Sequence, residues 1–180
     1  LFSGQIRPYK GVHELIRAFH ATTSRADGEQ VHLLVAGKPM GGFTAGHARL
    51  MEENNPRIHI LDGFIPDSKV PLLFGAADAI ALPYRDVLTS GNLMLAANYG
   101  KPVVAPRLPA LSLVDEAELG ILYEPDAPGA LADALEQALD LDHGREPVRE
   151  RHQAIDIELQ PLTLRNLPHR HRPVGKRDAV

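Results

Sequence analysis

Strand-like and helix-like stretches take turns along this chain, and that alternation constrains its fold more than any other feature. Short β-branched or aliphatic runs recur at residues 1–3, 31–36, 58–61, 79–82, 102–105 and 120–123. Between several of them apolar residues fall at helical spacing: Val12, Leu15, Ile16 and Phe19; Leu93, Leu95, Ala96 and Ala97; Ala130, Leu131, Ala134, Leu135 and Leu139. A strand, a helix and a further strand in succession imply parallel strands joined by right-handed crossovers. The expectation is an α/β fold with a doubly wound parallel sheet, Rossmann-like, of about six strands in the order 3-2-1-4-5-6. The thinnest link is residues 106–119, where "LSLVDEAE" supplies one or two helical turns.

With 180 residues, 44% of them hydrophobic, the chain suits one domain plus an appendage and contains no apolar run long enough to span a bilayer. A net charge of -4 gives no reason to expect nucleic acid as a partner, and membrane contact is expected to be peripheral at most. The absence of cysteine excludes disulfides and thiolate metal sites and fits a cytoplasmic setting, with attachment to a membrane surface left open. Acidic side chains outnumber basic ones up to Asp140, and the balance reverses beyond it. Residues 1–140 are therefore read as the α/β domain and 141–180 as an atypical tail. In that tail a helix is expected over 145–160, with Val148, Ile155 and Leu159 on one face. Beyond it Pro161, Pro168 and Pro173 punctuate the remaining residues, which read as disordered. Leu1 already stands inside a strand-like stretch, so the chain reads as part of a longer protein.

Ligands of doubly wound sheets bind beyond the carboxyl ends of the strands, where the strand order reverses. In the expected order that place lies between strands one and four, so "GQIRPYKG" and "PYRDVLTSG" should face each other. The first loop offers Gly4 for close backbone approach and the cations Arg7 and Lys10. The second offers Thr89, Ser90 and Gly91 directly before a helix, where free N–H groups and the helix dipole favour an anion. Together they describe a diphosphate site, with Arg7 and Lys10 positioned to neutralise a departing phosphate. The bland alternatives are a serine that merely caps the helix and two solvated loop charges. Rival phosphate motifs are absent: no G-x-G-x-x-G follows the first strand, and no G-x-x-x-x-G-K-[ST] occurs anywhere.

Other polar residues carry less. His13, His20, His32 and His59 are scattered, and His169 and His171 flank Arg170 in the basic tail, so no metal site is expected. Asp140 and Asp142 spell an Asp-x-Asp that reads as a polar helix end. Asp115, Glu116 and Glu118 come after the fifth strand, either near a bound sugar or as an exposed acidic turn.

Over residues 1–140 these segments resemble the C-terminal, donor-binding domain of a GT-B glycosyltransferase of the retaining family-4 group. "LFSGQIRPYKGVHELIRAF" is similar to that family's opening strand, phosphate loop and helix; "VHLLVAGKP", "IHILDGFIP", "LLFGAADAIALPY", "YGKPVVAP" and "ELGILYEPDAPGALADAL" succeed it in the family's order. The resemblance implies that Lys10 and a neighbouring arginine bind the donor diphosphate. It also implies that Phe64 and Ile65 border the nucleotide base, and that Thr89, Ser90, Gly91 and Asn92 cover the phosphates and sugar. The implied activity is transfer of a hexose from a nucleotide-diphosphate sugar to a glycan or lipid-linked acceptor, with retention and without a metal, as in polysaccharide biosynthesis. The acceptor would be bound by an N-terminal domain preceding Leu1. Three departures stand out: Gln5 occupies the place of the family's usual arginine, and Val87 and Leu95 occupy the places of its two glutamates. They leave open a noncatalytic nucleotide-binding or interaction module derived from such an enzyme.

Overall fold

A computed structural model describes residues 1–22, 31–41 and 55–140. The expected tail at 141–180 and its helix at 145–160 lie outside the described residues. In chain order the elements are β1 (Phe2–Ser3), α1 (Val12–Ala21), β2 (Leu33–Gly37), β3 (Ile58–Asp62), α2 (Val70–Ala76), β4 (Ile80–Ala81), α3 (Gly91–Asn98), β5 (Val103–Pro106), α4 (Leu113–Glu116), β6 (Gly120–Tyr123) and α5 (Ala130–Asp140). The thin link before β6 resolves into a 3-10 turn, Pro109–Leu111, and the single helical turn of α4.

Among the described residues all strand pairs are parallel and form two three-stranded sheets, β1-β2-β3 and β4-β5-β6. The two meet at Leu1, whose nitrogen donates to the Ala79 carbonyl at 2.8 Å and whose carbonyl accepts from the Ala81 amide at 2.8 Å. One residue bonding on both sides of Ile80 is the parallel pattern reduced to a single step. β1 and β4 are each only two residues long, which leaves this seam short and its loops close to it.

Burial explains why the chain adopts these elements. On α1, Val12, Leu15, Ile16 and Phe19 face the core while Arg17 and His20 stay exposed. On β5, Val103 and Ala105 join the large cluster that also holds Phe2, Phe74, Leu93 and Leu111. Val104, on the opposite face, packs instead with Ala134 and Ala138 of α5. Both faces of that strand are covered, as a parallel sheet with helical crossovers requires. Each large side chain removed from water here contributes about 1.5–3 kcal/mol before chain entropy is counted.

Near the carboxyl ends of β1, β2 and β4, two glycines are demanded by backbone geometry. Gly11 joins the 3-10 turn Pro8–Lys10 to α1 with φ of 67°, and a Cβ there would lie 1.8 Å from the Pro83 carbonyl oxygen. At the end of β2, a Cβ on Gly37 would lie 1.7 Å from the Gly4 carbonyl oxygen. The chain around the carboxyl ends of β1, β2 and β4 is thus packed backbone against backbone. Gly63, just past β3, extends the arrangement by donating its N–H to the Gly37 carbonyl at 3.1 Å.

Candidate functional site

The loops that leave β1 and β4 touch along their length. Gly11 abuts Pro83, the Arg85 amide donates to the Tyr9 carbonyl at 2.8 Å, and the Arg85 guanidinium pairs with Glu14 on α1. Glu14 also bonds Arg17 at 3.1 Å, so one carboxylate ties the start of α1 to the second loop.

At the centre of this junction stand Gly4, Lys10 and Asn92. A Cβ placed on Gly4 would sit 3.4 Å from both the Lys10 ammonium nitrogen and the Asn92 Nδ2. With glycine there, a cation and an amide converge on bare backbone. Asn92 is fixed by donating its Nδ2 to the Ser3 carbonyl at 2.5 Å, which pins the first turn of α3 to the end of β1. Lys10 is half-buried and its Nζ lies 5.4 Å from the centroid of the Tyr84 ring. Burial pulls its ammonium below the ordinary lysine range, and the nearby Arg7 charge adds to the effect.

Arg7 occupies a different setting. Its Nε donates to the Gln5 Oε1 at 3.0 Å and its Nη2 lies 3.9 Å from the Met40 sulfur, on the outer side of the same loop. Gln5, at the family's arginine position, therefore orients the arginine two residues further on.

The start of α3 shows the capping role considered for it and leaves the first-turn amides for the other. Ser90 is the N-cap, its hydroxyl accepting from the Leu93 amide at 3.2 Å. The amides of Gly91 and Asn92 belong to the same first turn, where the helix supplies no backbone acceptor. Gly91 does not adopt a positive φ, and a Cβ on it would meet nothing within 4 Å. Its smallness leaves space open rather than relieving strain. Thr89 is exposed beside it, and the preceding Leu88 is 91% exposed.

The two neighbours expected at the base differ in exposure. Phe64 is 75% exposed, whereas Ile65 is partly buried against the core and anchors the loop after β3. Val87 and Leu95 both pack against the same core, so the two places that carry glutamates in similar enzymes are hydrophobic packing positions here. Asp115 bonds Arg107 at 2.5 Å, and Arg107 also bonds Glu124 at 2.8 Å, a surface ion network next to β5 and β6. His32 and His59 stack with ring centroids 5.2 Å apart, and His20 lies 3.3 Å from the Asn55 amide. Among the described residues no group of three or more His, Asp or Glu is arranged to hold a metal ion. Asp140 ends α5, while Asp142, His169 and His171 lie outside the described residues.

Tyr84 escaped the sequence reading. It is 4% exposed, with its ring under Lys10 and the side chains of Ser90 and Asn92 near its hydroxyl. Burial pushes its phenol up from the ordinary range, opposed by those two polar neighbours, so it is neutral at physiological pH. The only available signal was an aromatic residue within "PYRDVLTSG", and its partners lie in other segments of the chain.

Known proteins share this sequence pattern and this fold. A D-inositol 3-phosphate glycosyltransferase from Corynebacterium glutamicum (strain R) is 34% identical over 149 residues, covering 80% of this chain and 35% of that protein. A GDP-mannose:glycolipid 4-beta-D-mannosyltransferase from Xanthomonas campestris pv. campestris is 28% identical over 134 residues, covering 73% of this chain and 37% of the relative. The chain thus spans little more than a third of the length of these curated relatives. Among solved structures, the C-terminal domain of a glycosyl transferase group 1 family protein (LpcC) from Francisella tularensis superposes with a TM-score of 0.61 at 21% identity. That superposition covers 87% of this chain and 84% of the other, which establishes likeness of fold. Among the described residues no helix is long and apolar enough to cross a membrane. The family model described as "Glycosyl transferases group 1" matches residues 1–141, and the chain belongs to that family, with the fold of a GT-B C-terminal domain.

Proposed function

We propose that this chain is the donor-binding half of a glycosyltransferase that takes a hexose from a nucleotide-diphosphate sugar and transfers it, with retention, to a glycan or lipid-linked acceptor. The observation that carries the reading is the convergence of Lys10 and Asn92 on the bare backbone of Gly4 at the start of α3. A diphosphate seated there meets an ammonium, an amide and the first N–H groups of a helix in one place. Its charge would be neutralised by Lys10, with Arg7 on the outer side, and this stabilises the leaving group without a metal ion. Thr89, Ser90, Gly91 and Asn92 cover the phosphates and sugar, while Phe64 and Ile65 flank the base. Names of relatives support a glycolipid or inositol phosphate type of acceptor, which a partner domain would hold.

A second reading is favoured by one observation. Val87 and Leu95 place aliphatic side chains against the core where similar enzymes carry carboxylates, so the hydroxyl-binding acceptors are missing from those positions. A noncatalytic nucleotide-binding module would retain the phosphate site and lose those acceptors.

Calorimetric titration with UDP and with GDP, in chelator and with added magnesium at matched ionic strength, tests the binding reading. Equal affinities in the two conditions are expected, weakening as salt rises. Binding that vanishes in chelator and returns with metal would overturn the metal-free site. Slow donor hydrolysis, or transfer once an acceptor domain is supplied, with the product anomer read by NMR, separates enzyme from module.

A further inference from the structure

Lys10 and the α3 start come from loops far apart in the chain, yet an anion held between them requires a fixed spacing. The side chain that touches both is Tyr84. Its ring centroid lies 5.4 Å from the Lys10 nitrogen, and its hydroxyl neighbours the side chains of Ser90 and Asn92. A ring that is 4% exposed has little freedom to move. Its backbone is also held, the Tyr84 amide donating to the Leu82 carbonyl at 2.8 Å. Ser90 caps α3 and Asn92 bonds the Ser3 carbonyl, so the hydroxyl's two neighbours are the residues that set where the helix begins.

We propose that Tyr84 is a positioning residue of the donor site, its ring carrying the Lys10 ammonium and its hydroxyl fixing Ser90 and Asn92. The proposal rests on the diphosphate reading of the crevice. A lysine has several rotatable bonds and loses considerable rotamer freedom when it is ordered for a ligand. Seating the ammonium over an aromatic face before binding lowers that cost. The hydroxyl does the same for the loop whose amides close over the anion. Tyr84 need not touch the nucleotide to do either.

Titration of the 180-residue chain with UDP and GDP, over a range of salt concentrations, tests this on Tyr84→Phe, Tyr84→Leu, Lys10→Ala and the double variant that combines Tyr84→Leu with Lys10→Ala. Tyr84→Phe keeps the ring and loses the hydroxyl, and affinity should fall roughly 2- to 10-fold. Tyr84→Leu should lose about 10-fold or more and flatten the salt dependence toward that of Lys10→Ala, a change that simple loosening of the core would not produce. On the Lys10→Ala background the same leucine substitution should cost clearly less, because part of its effect runs through the lysine. Wild-type affinity and salt dependence in Tyr84→Leu, or an equal loss on both backgrounds, would overturn the proposal. Should Tyr84→Leu fail to fold, undiminished affinity in the isosteric Tyr84→Phe, with loss in Lys10→Ala, would equally count against it. Unchanged binding in Lys10→Ala instead overturns the diphosphate reading, and the role of Tyr84 falls with it.

Discussion

The loop after β1 and the loop after β4 form one crevice by opposite means. The first is cast in backbone: Gly11 against Pro83 and Gly37 against the Gly4 carbonyl leave no room for a methyl group. The second is open at its tip, where Gly91 has nothing within 4 Å of a would-be Cβ and Leu88 and Thr89 face solvent. Rigidity on one side and space on the other separate the substitutions that unfold the protein from those that alter its ligand. Four expected outcomes press on that contrast.

The largest effect belongs to the packed side. Gly11→Ala combines a left-handed backbone with a collision against carbonyl oxygen and should destabilise the fold by on the order of 2 kcal/mol or more, read as a lowered urea midpoint. A midpoint equal to wild type would show that this loop is not rigid. Next comes Lys10→Ala, which on the proposed diphosphate reading removes a charge-assisted bond to phosphate and should weaken UDP or GDP binding roughly 10- to 150-fold with little change in stability. On the open side, Gly91→Val should leave the melting temperature nearly unchanged while affinity falls by about an order of magnitude, since the branched side chain enters unfilled space. An unaltered titration would make the α3 start a structural cap and nothing more.

The smallest effect is a pH dependence. Burial, with Arg7 adding repulsion, holds the Lys10 pKa below its unfolded value, so between the two the unfolded chain carries more protons and stability rises with pH. Nucleotide binding draws in the other direction, because a phosphate favours the charged lysine. Affinity should therefore decline as pH approaches the lowered Lys10 value, sooner than for an ordinary lysine. A Lys10→Arg variant should lose the decline, and calorimetry from neutral pH upward would reveal it.

Much of this was legible from sequence because it depends on local periodicity. Every strand-like run became a strand within two residues of its expected limits, and β6 coincides with residues 120–123. The α1 stripe of Val12, Leu15, Ile16 and Phe19 is the buried face. Gly4, Lys10 and Asn92 were each named, and the structure adds that they stand together. What periodicity cannot supply is a contact between distant segments. Glu14 and Arg85 are 71 residues apart, and nothing in either segment announces the pair. Tyr84 was passed over for the same reason, since a loop tyrosine gains meaning only from the lysine above it. Gly91 was legible as small but not as unstrained, because the sign of φ is not written in the residue name.

The glycines at the ends of three adjacent strands, Gly4, Gly37 and Gly63, draw a floor that contains no side chains. Gly4 donates to the Ala36 carbonyl at 2.9 Å, and Gly63 to that of Gly37 at 3.1 Å. Such a floor is hard to retune by substitution, because a new side chain at Gly37 collides with main chain rather than with a partner that could change in concert. The exposed residues Phe64, Met40, Tyr9 and Thr89 can be exchanged at little cost to the fold. An engineer seeking a new ligand preference in this crevice would vary such exposed positions and leave the floor as it is.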